Sequence, residues 1–387
     1  MKWENKGNEK IEEMYSDLIR KEIFVFGAGE IGRGLYISIN RLLKCRGFVD
    51  NNPQKHNKDF MGTSIYSLER ILEKCHEPFF IVAATKRNED DICEQLRKKG
   101  LSYCRAQFFL DRVLPAYIWF KEGKLMMNLA QICLTERCTL RCRDCAHACF
   151  AVKRDAEDMD LDEVKTTCDD FFSRIDYIHE FVLIGGEPLL YKDLDCVIAY
   201  IGEHYRDKIG IFSITTNGTM IPNEKILHSS ALYDVYFRIS NYSRAIPRLS
   251  RRYEELLSLL NSRKISYYFG KAEEGWVDYG FKTYRDLGDA EHLIRKFDLC
   301  ATPCREIRNS RLYYCVMART NVDNLHLDIG EDDYLNLANL PEGDEGKRII
   351  LEYNLGYSDK GYLDACAYCR GAESYHFPIE AATQVEG

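Results

Sequence analysis

Cys138, Cys142 and Cys145 stand in Leu134-Thr-Glu-Arg-Cys-Thr-Leu-Arg-Cys-Arg-Asp-Cys, with three and then two residues between the thiols. Thiolates are the natural ligands of iron-sulfur clusters, and three of them close together on one loop hold three irons of a cubane and leave the fourth open. An open iron is a binding site. The competing chemistry is structural zinc, which takes four ligands, often in paired Cys-x2-Cys spacings, and Cys149 would then be the fourth. A second set, Cys304, Cys315, Cys366 and Cys369, lies late in the chain and ends in Cys366-Ala-Tyr-Cys369-Arg-Gly. Four thiolates close a cluster completely, which suits electron transfer rather than cofactor cleavage, and the alternative for this set is a zinc ribbon. Cys300 competes with Cys304 for the first place. Cys45, Cys75, Cys93, Cys104, Cys168 and Cys196 show no ligand spacing and read as inert buried thiols.

Such groups need elements to position them. From Asn128 onward, strand-like apolar runs recur at Leu129 to Leu134, Phe181 to Ile184, Ile211 to Thr215, Val235 to Ser240 and Ile265 to Phe269. Helical patterns, such as Asp160 to Ile175 and Leu249 to Leu260, lie between them. That rhythm predicts a closed or partly closed β/α barrel whose active site sits at the C-terminal ends of its strands. A sixth strand has no clear pattern, and beyond about Phe297 the rhythm gives way to cysteines, tyrosines and short turns. Ile184-Gly185-Gly186-Glu187-Pro188 follows the second run; its glycines let the backbone approach a ligand, and its carboxylate is an acceptor for an ammonium group. Thr215-Thr216-Asn217-Gly218 ends the third run and reads equally as a ligand-binding turn or a helix cap. Arg238 and Ser240 share one face of the fourth by period-two alternation, Arg238 as a substrate group or a salt-bridge partner.

Cys-x3-Cys-x2-Cys followed about 40 residues later by Gly-Gly-Glu-Pro resembles the radical S-adenosylmethionine superfamily. The resemblance implies a 4Fe-4S cluster on Cys138, Cys142 and Cys145 whose open iron chelates S-adenosylmethionine. It further implies that Gly185, Gly186, Glu187, Thr216, Asn217 and Ser240 contact that cofactor, with Glu187 at its amino group and Ser240 near its ribose or carboxylate. Asp144 departs from the family, many members of which carry an aromatic residue before the third cysteine. The tail resembles the twitch appendage, a shortened SPASM domain, and this implies a second 4Fe-4S cluster on Cys304, Cys315, Cys366 and Cys369. A glycine usual there is replaced by Ser310, five residues before Cys315, so a somewhat different hairpin turn is expected. An external donor of the flavodoxin or ferredoxin type is implied as the source of electrons.

Upstream, Lys21 to Phe26 reads as a strand, Gly27-Ala-Gly29-Glu-Ile-Gly32 as a tight turn and Arg33 to Leu43 as a helix, with Asp50 at the end of the next strand. Pro78 to Ala84 and Asn88 to Lys99 add another strand and helix, so a parallel sheet is expected. This context fits a nucleotide, with the pyrophosphate at the helix N-terminus near Gly27, Gly29 and Gly32 and Asp50 on a ribose hydroxyl; the alternative is a degenerate domain used for docking. Gly47-Phe-Val-Asp50-Asn-Asn-Pro and Met61-Gly-Thr-Ser-Ile-Tyr resemble Rossmann-like domains beside sugar-modifying enzymes of bacterial glycan pathways. The fold class expected is therefore α/β. A Rossmann-like domain over residues 1–115 precedes a partial (β/α)6 TIM-type barrel over 128–296 and a small cysteine-rich twitch-like extension over 297–387.

The chain has 387 residues and a formal charge of −8, which argues against nonspecific nucleic-acid binding, and no apolar run approaches the ~20 residues of a membrane helix. The charged opening, Met1 to Glu13, lacks the apolar centre of a signal peptide, so a cytoplasmic location is expected. Sixteen cysteines in a reducing compartment point to metal chemistry. The functional expectation is hydrogen abstraction from a small molecule, a sugar, nucleotide-sugar or polyol. The alternatives are a SPASM-type peptide maturase and, outside enzymes, a zinc-stabilised binding protein.

Overall fold

The computed structural model describes residues 16, 18, 20–40, 42–280, 283–300, 302, 304–327, 329–357 and 359–385. The charged opening at Met1 to Glu13 lies outside them. Two compact units divide the chain, Asn5–Lys121 and Glu122–Gly387.

In the first unit, β1 (Glu22–Phe26), β2 (Cys45–Val49), β3 (Asp59–Phe60), β4 (Thr63–Tyr66), β5 (Pro78–Val82) and β6 (Ser102–Arg105) form one sheet in the order β3-β4-β2-β1-β5-β6. All its pairings are parallel except β3 with β4. Helices α1 (Glu30–Ile39), α2 (Leu68–Lys74) and α3 (Lys86–Lys98) are its crossovers. Every residue of Pro78–Val82 is buried, as a strand covered on both faces requires. The chain runs from β1 outward through β2 to β4 and then returns to place β5 on the opposite side of β1. The Gly27 turn thus sits at the switch point where open α/β sheets bind ligands.

The second unit is an eight-stranded sheet in the order β11-β10-β9-β8-β7-β13-β14-β15. Its first five members follow the chain: β7 (Met126–Thr135), β8 (Tyr177–Gly185), β9 (Ile209–Thr216), β10 (Val235–Ile239) and β11 (Tyr267–Phe269), all parallel. They alternate with α4 (Leu161–Phe172), α5 (Leu194–Tyr205), α6 (Glu224–Leu232) and α7 (Leu249–Ser262). Asp160 and Glu163 close a reciprocal capping box at the start of α4. Phe171 and Phe172 on that helix pack against Phe181 of β8 and fasten helix to sheet. The sixth parallel strand does not follow β11. After the short β12 (Trp276–Val277) and α8 (Ala290–Asp298), β13 (Arg305–Arg308) joins the free edge of β7 in parallel. A hairpin then leads to β14 (Arg311–Tyr313) and β15 (Tyr334–Asn336). Asn309 and Ser310, the two residues of the tight turn, have φ of 49° and 53°. That is the left-handed pair a two-residue hairpin demands, so serine here takes the conformation a glycine would. The remaining elements are α9 (Val316–Asp323), α10 (Gly343–Asn354) and β16 (Pro378–Ile379), the last antiparallel to β12. No helix among the described residues is long and apolar enough to cross a membrane.

Candidate metal centre

A cavity of about 400 Å³ opens at the C-terminal ends of the barrel strands. The loop after β7 supplies Cys138, Cys142 and Cys145 to its wall. Gly185 and Gly186 at the end of β8 line it, with Thr216 and Asn217 after β9 and Ser240 after β10. Residues up to 102 positions apart, Cys138 to Ser240, thus meet on one concave surface.

The glycines are demanded by the backbone. A Cβ on Gly185 would meet the Thr135 carbonyl oxygen at 2.3 Å, and one on Gly186 the Arg137 carbonyl oxygen at 2.2 Å. The turn and the thiol loop are in turn tied together, since Gly186 N–H donates to Thr135 (2.8 Å) and Glu187 N–H to Arg137 (2.9 Å).

Glu187 is placed differently from expectation. It is fully buried and does not line the cavity. Its Oε1 accepts from Leu189 N–H (3.1 Å) and the Thr216 hydroxyl (2.8 Å), and its Oε2 from Asn217 N–H (2.9 Å). Burial pushes its pKa up to about 7 against those three donors. The carboxylate is a brace between two cavity-lining turns, not an open acceptor for a ligand's ammonium. Asn217, by contrast, sends Nδ2 to Cys138 Sγ (3.5 Å) and Thr139 Oγ1 (3.1 Å). Arg238 takes the structural alternative and pairs with Glu180.

Cys149 lies behind the wall. Its Sγ is 3.9 Å from that of Cys145, yet it is absent from the cavity lining. The neighbouring Cys149 thiol draws the Cys145 pKa down against burial, while that of Cys149 rises.

Other residues complete the wall. Asp144 lines the cavity and pairs with Arg143 (3.0 Å), while the aromatic surface comes from Tyr242 and Trp276, whose rings meet edge-on at 5.7 Å. Nothing in local periodicity marks them, because Tyr242 lies on an irregular segment and Trp276 on a strand only two residues long. His147 also lines the cavity; its Nδ1 lies 3.0 Å from Arg319, which can only donate, so Nδ1 accepts and the ring proton sits on Nε2. His147, Cys133 and Glu306 are close enough to hold a metal ion, but the Arg319 guanidinium already bonds to Glu306 and His147 there.

The late cysteines converge on a second, much smaller cavity. Cys300, Cys315, Cys366 and Cys369 line it, beside Lys296 and Tyr314. Cys300, the competitor for the first place, thus lines this cavity with three of the expected thiols. Cys304 packs with Cys315 and Cys369 around Ala148, Val316 and Met317. Cys300 follows the last turn of α8. Tyr279 borders both regions, lining the large cavity and packing beside Cys304, Cys315 and Cys369.

In the N-terminal unit, Gly27, Gly29 and Asp50 line a cavity of about 630 Å³. Gly27 has φ of +122°, and a Cβ there would strike the Ala83 carbonyl oxygen at 2.2 Å. Gly32 packs against Gly27 instead of lining the space, its virtual Cβ 1.8 Å from the Gly27 carbonyl oxygen. Asp50 is largely engaged: Oδ2 accepts from Ala28 N–H (2.9 Å) and Lys55 Nζ (2.8 Å), Oδ1 from Asn52 N–H (2.9 Å). Burial opposes ionisation, but Lys55 and these N–H groups prevail and hold its pKa below the usual carboxylate value. Of about four acceptor positions on a carboxylate, one on Oδ1 stays open for a hydroxyl.

Comparisons with known proteins address the barrel. Residues 132–240 match the family model of the Radical SAM superfamily, a span from β7 through Ser240. A GTP 3',8-cyclase of Erythrobacter litoralis is 32% identical over 140 residues, 35% of this chain and 40% of that protein. GTP 3',8-cyclase 3 of Mycobacterium bovis is 33% identical over 106 residues, 26% of this chain and 27% of that protein. The chain thus spans 40% or less of the length of these curated relatives. Among solved structures, BtrN in complex with AdoMet and 2-DOIA aligns with a TM-score of 0.39 and 16% identity, over 66% of this chain and 100% of that one. Streptococcus suis SuiB bound to precursor peptide SuiA aligns with a TM-score of 0.31 and 17% identity, over 52% and 42%.

Proposed function

We propose, from the premise that this chain belongs to the radical S-adenosylmethionine superfamily, that it takes hydrogen from a nucleotide, a nucleotide-linked sugar or a related polyol. The observation that carries the reading is the convergence of Cys138, Cys142 and Cys145 with Gly185, Gly186, Thr216, Asn217 and Ser240 on one cavity at the strand ends. The donor set fits a 4Fe-4S cluster with one open iron: three thiols face the cavity and the fourth nearby, Cys149, does not. What the cluster supplies when bound is one electron for the sulfonium of S-adenosylmethionine, which yields the carbon radical that removes the hydrogen.

The residues then have distinct duties. Cys138, Cys142 and Cys145 ligate the cluster. Gly185 and Gly186 let the turn after β8 close against the backbone of the thiol loop, while Thr216, Asn217 and Ser240 offer hydrogen bonds to the cofactor. Tyr242 and Trp276 supply the aromatic faces that the loop itself lacks at Asp144, and they exclude water from the reacting hydrogen. Glu187 holds the two turns in register from behind.

Cys300, Cys315, Cys366 and Cys369 ligate the second cluster, which exchanges electrons with the reaction or with a flavodoxin- or ferredoxin-type donor. Alanine at Cys300 is expected to lower iron by roughly four of eight atoms per chain, the content of one cubane, whereas alanine at Cys304 leaves iron unchanged. Anaerobic iron and sulfide assays on the two variants check this, and the opposite pattern would return Cys304 to the ligand set.

The substrate class is supported by the N-terminal cavity at the sheet's switch point and by relatives named for a reaction at positions 3' and 8 of GTP. The test is anaerobic reconstitution with dithionite and S-adenosylmethionine, with chromatography for deoxyadenosine in the presence of nucleotides, nucleotide sugars and candidate precursor peptides. Deoxyadenosine that rises with a nucleotide or sugar, together with a mass change on that compound, is the expected result. Turnover confined to a peptide would overturn the substrate class, and zinc without iron or labile sulfide would overturn the enzyme.

A further inference from the structure

The segment from Pro378 to Val385 is bound to two walls of the large cavity. β16 pairs with β12, matching Ile379 to Trp276. Further on, Arg143 N–H donates to Thr383 (2.7 Å) and Val385 N–H to Arg141 (2.8 Å), so the segment adds an antiparallel bridge, Cys142 to Gln384, along the thiol loop. At the centre of that bridge Gln384 Oε1 accepts from Arg141 N–H (2.8 Å), and Nε2 donates to Ala382 O (2.7 Å) and to Cys142 Sγ (3.3 Å).

The amide orientation follows from chemistry. Arg141 N–H can only donate and the Ala382 carbonyl can only accept, so a flipped amide would lose both bonds. The N–H therefore faces the sulfur. Cys142 is buried, and with solvent excluded this donor is a principal hydrogen bond to its thiolate. Hydrogen bonds donated to cluster sulfurs stabilise the reduced, more negative state and raise the potential, one of the ways in which outer-shell partners tune a metal centre.

We propose that Gln384 is a positioning residue for the metal centre of Cys138, Cys142 and Cys145, setting its reduction potential through the N–H donated to Cys142 while its backbone bridge shields the thiol loop. The inference rests on the cluster assignment made under the proposed function. Gln384 lies 242 positions from Cys142 and carries no motif of its own.

The test compares holoprotein of the wild type with Gln384→Met and Gln384→Glu, both of similar length and without the donor. Each is reconstituted anaerobically, assayed for iron and sulfide, and titrated with reductant while the reduced-cluster EPR signal is followed with and without S-adenosylmethionine. The signal that changes with the cofactor belongs to the open-iron cluster. With iron retained, that signal is expected to be several-fold harder to reduce at fixed potential in Gln384→Met, a tenfold change being ~59 mV for one electron. Gln384→Glu, which adds negative charge, is expected to shift it further, while the cofactor-insensitive signal stays in place. Equal potentials in wild type and both variants would overturn the role of Gln384 and leave the cluster assignment standing. Should Gln384→Met fail to hold iron, the potential of Gln384→Glu decides. A wild type with no cofactor-responsive signal would remove the cluster assignment itself, and this inference with it.

Discussion

Alanine at Cys138, Cys142 or Cys145 is expected to abolish deoxyadenosine formation, a loss of ~10³-fold or more and well beyond the 10–100-fold typical of an outer-shell change. Two thiolates cannot hold three corners of a cubane, and no other described thiol lines the cavity to replace the lost one. Iron should fall by roughly the four atoms of one cluster in each variant, with the second cysteine set unaffected. The informative control is Cys149→Ala. Cys149 sits 3.9 Å from Cys145 but behind the wall, so its removal is expected to leave iron and deoxyadenosine formation near the wild-type level. A closed four-thiolate zinc cage requires the reverse: Cys149→Ala would lose the metal along with the other three. Metal analysis and product chromatography on the four variants read out both.

The largest stability effect is expected at Arg319. Its side chain on α9 is fully buried and pairs with Glu136 from the loop after β7 and Glu306 from β13, with Asp323 at 3.9 Å. Asn324 and Gln131 complete the network through Glu136 and Glu306. Burial alone would raise the Glu136 pKa, but Arg319 and Arg308 override it and hold the carboxyl down at about 2. Arg319→Met leaves the buried Glu306 carboxylate without its cation and Glu136 with Arg308 alone, a loss of about 3–5 kcal/mol. Anaerobic thermal unfolding at neutral pH checks the size. In the double variant Arg319→Met/Glu306→Gln one orphaned charge is gone, so part of the loss should return; an undiminished deficit would mean that Arg319 acts mainly by packing.

This network also explains the strand that sequence patterns passed over. β13 reads Arg305-Glu-Ile-Arg308, and such a run has the polarity of a loop. All four residues are nevertheless buried, Glu306 against Arg319, and Arg305 against Asn354 (3.0 Å) and the face of Tyr314. Hydrophobic periodicity registers burial only when burial means apolar contact. Here ion pairs and hydrogen bonds from distant segments make a charged strand tolerable, so its signal does not exist until those segments are in place.

What the sequence determined by itself is the chemistry that depends on short spacing. The thiol triplet, the glycine turns after β1 and β8 and the five sequential barrel strands could be read because each follows from neighbouring residues: three thiols close together on one loop, a backbone too close for a Cβ, a run of apolar side chains. What only the tertiary structure decided is which groups face which. It turned Glu187 from the cavity into a brace, brought Cys300 rather than Cys304 to the second thiol cavity, supplied Tyr242 and Trp276 as the aromatic wall, and set Gln384 against Cys142. Those outcomes rest on contacts between segments far apart in the chain, whose partners are selected by packing and by the need to satisfy buried polar groups, and neither is encoded in local spacing.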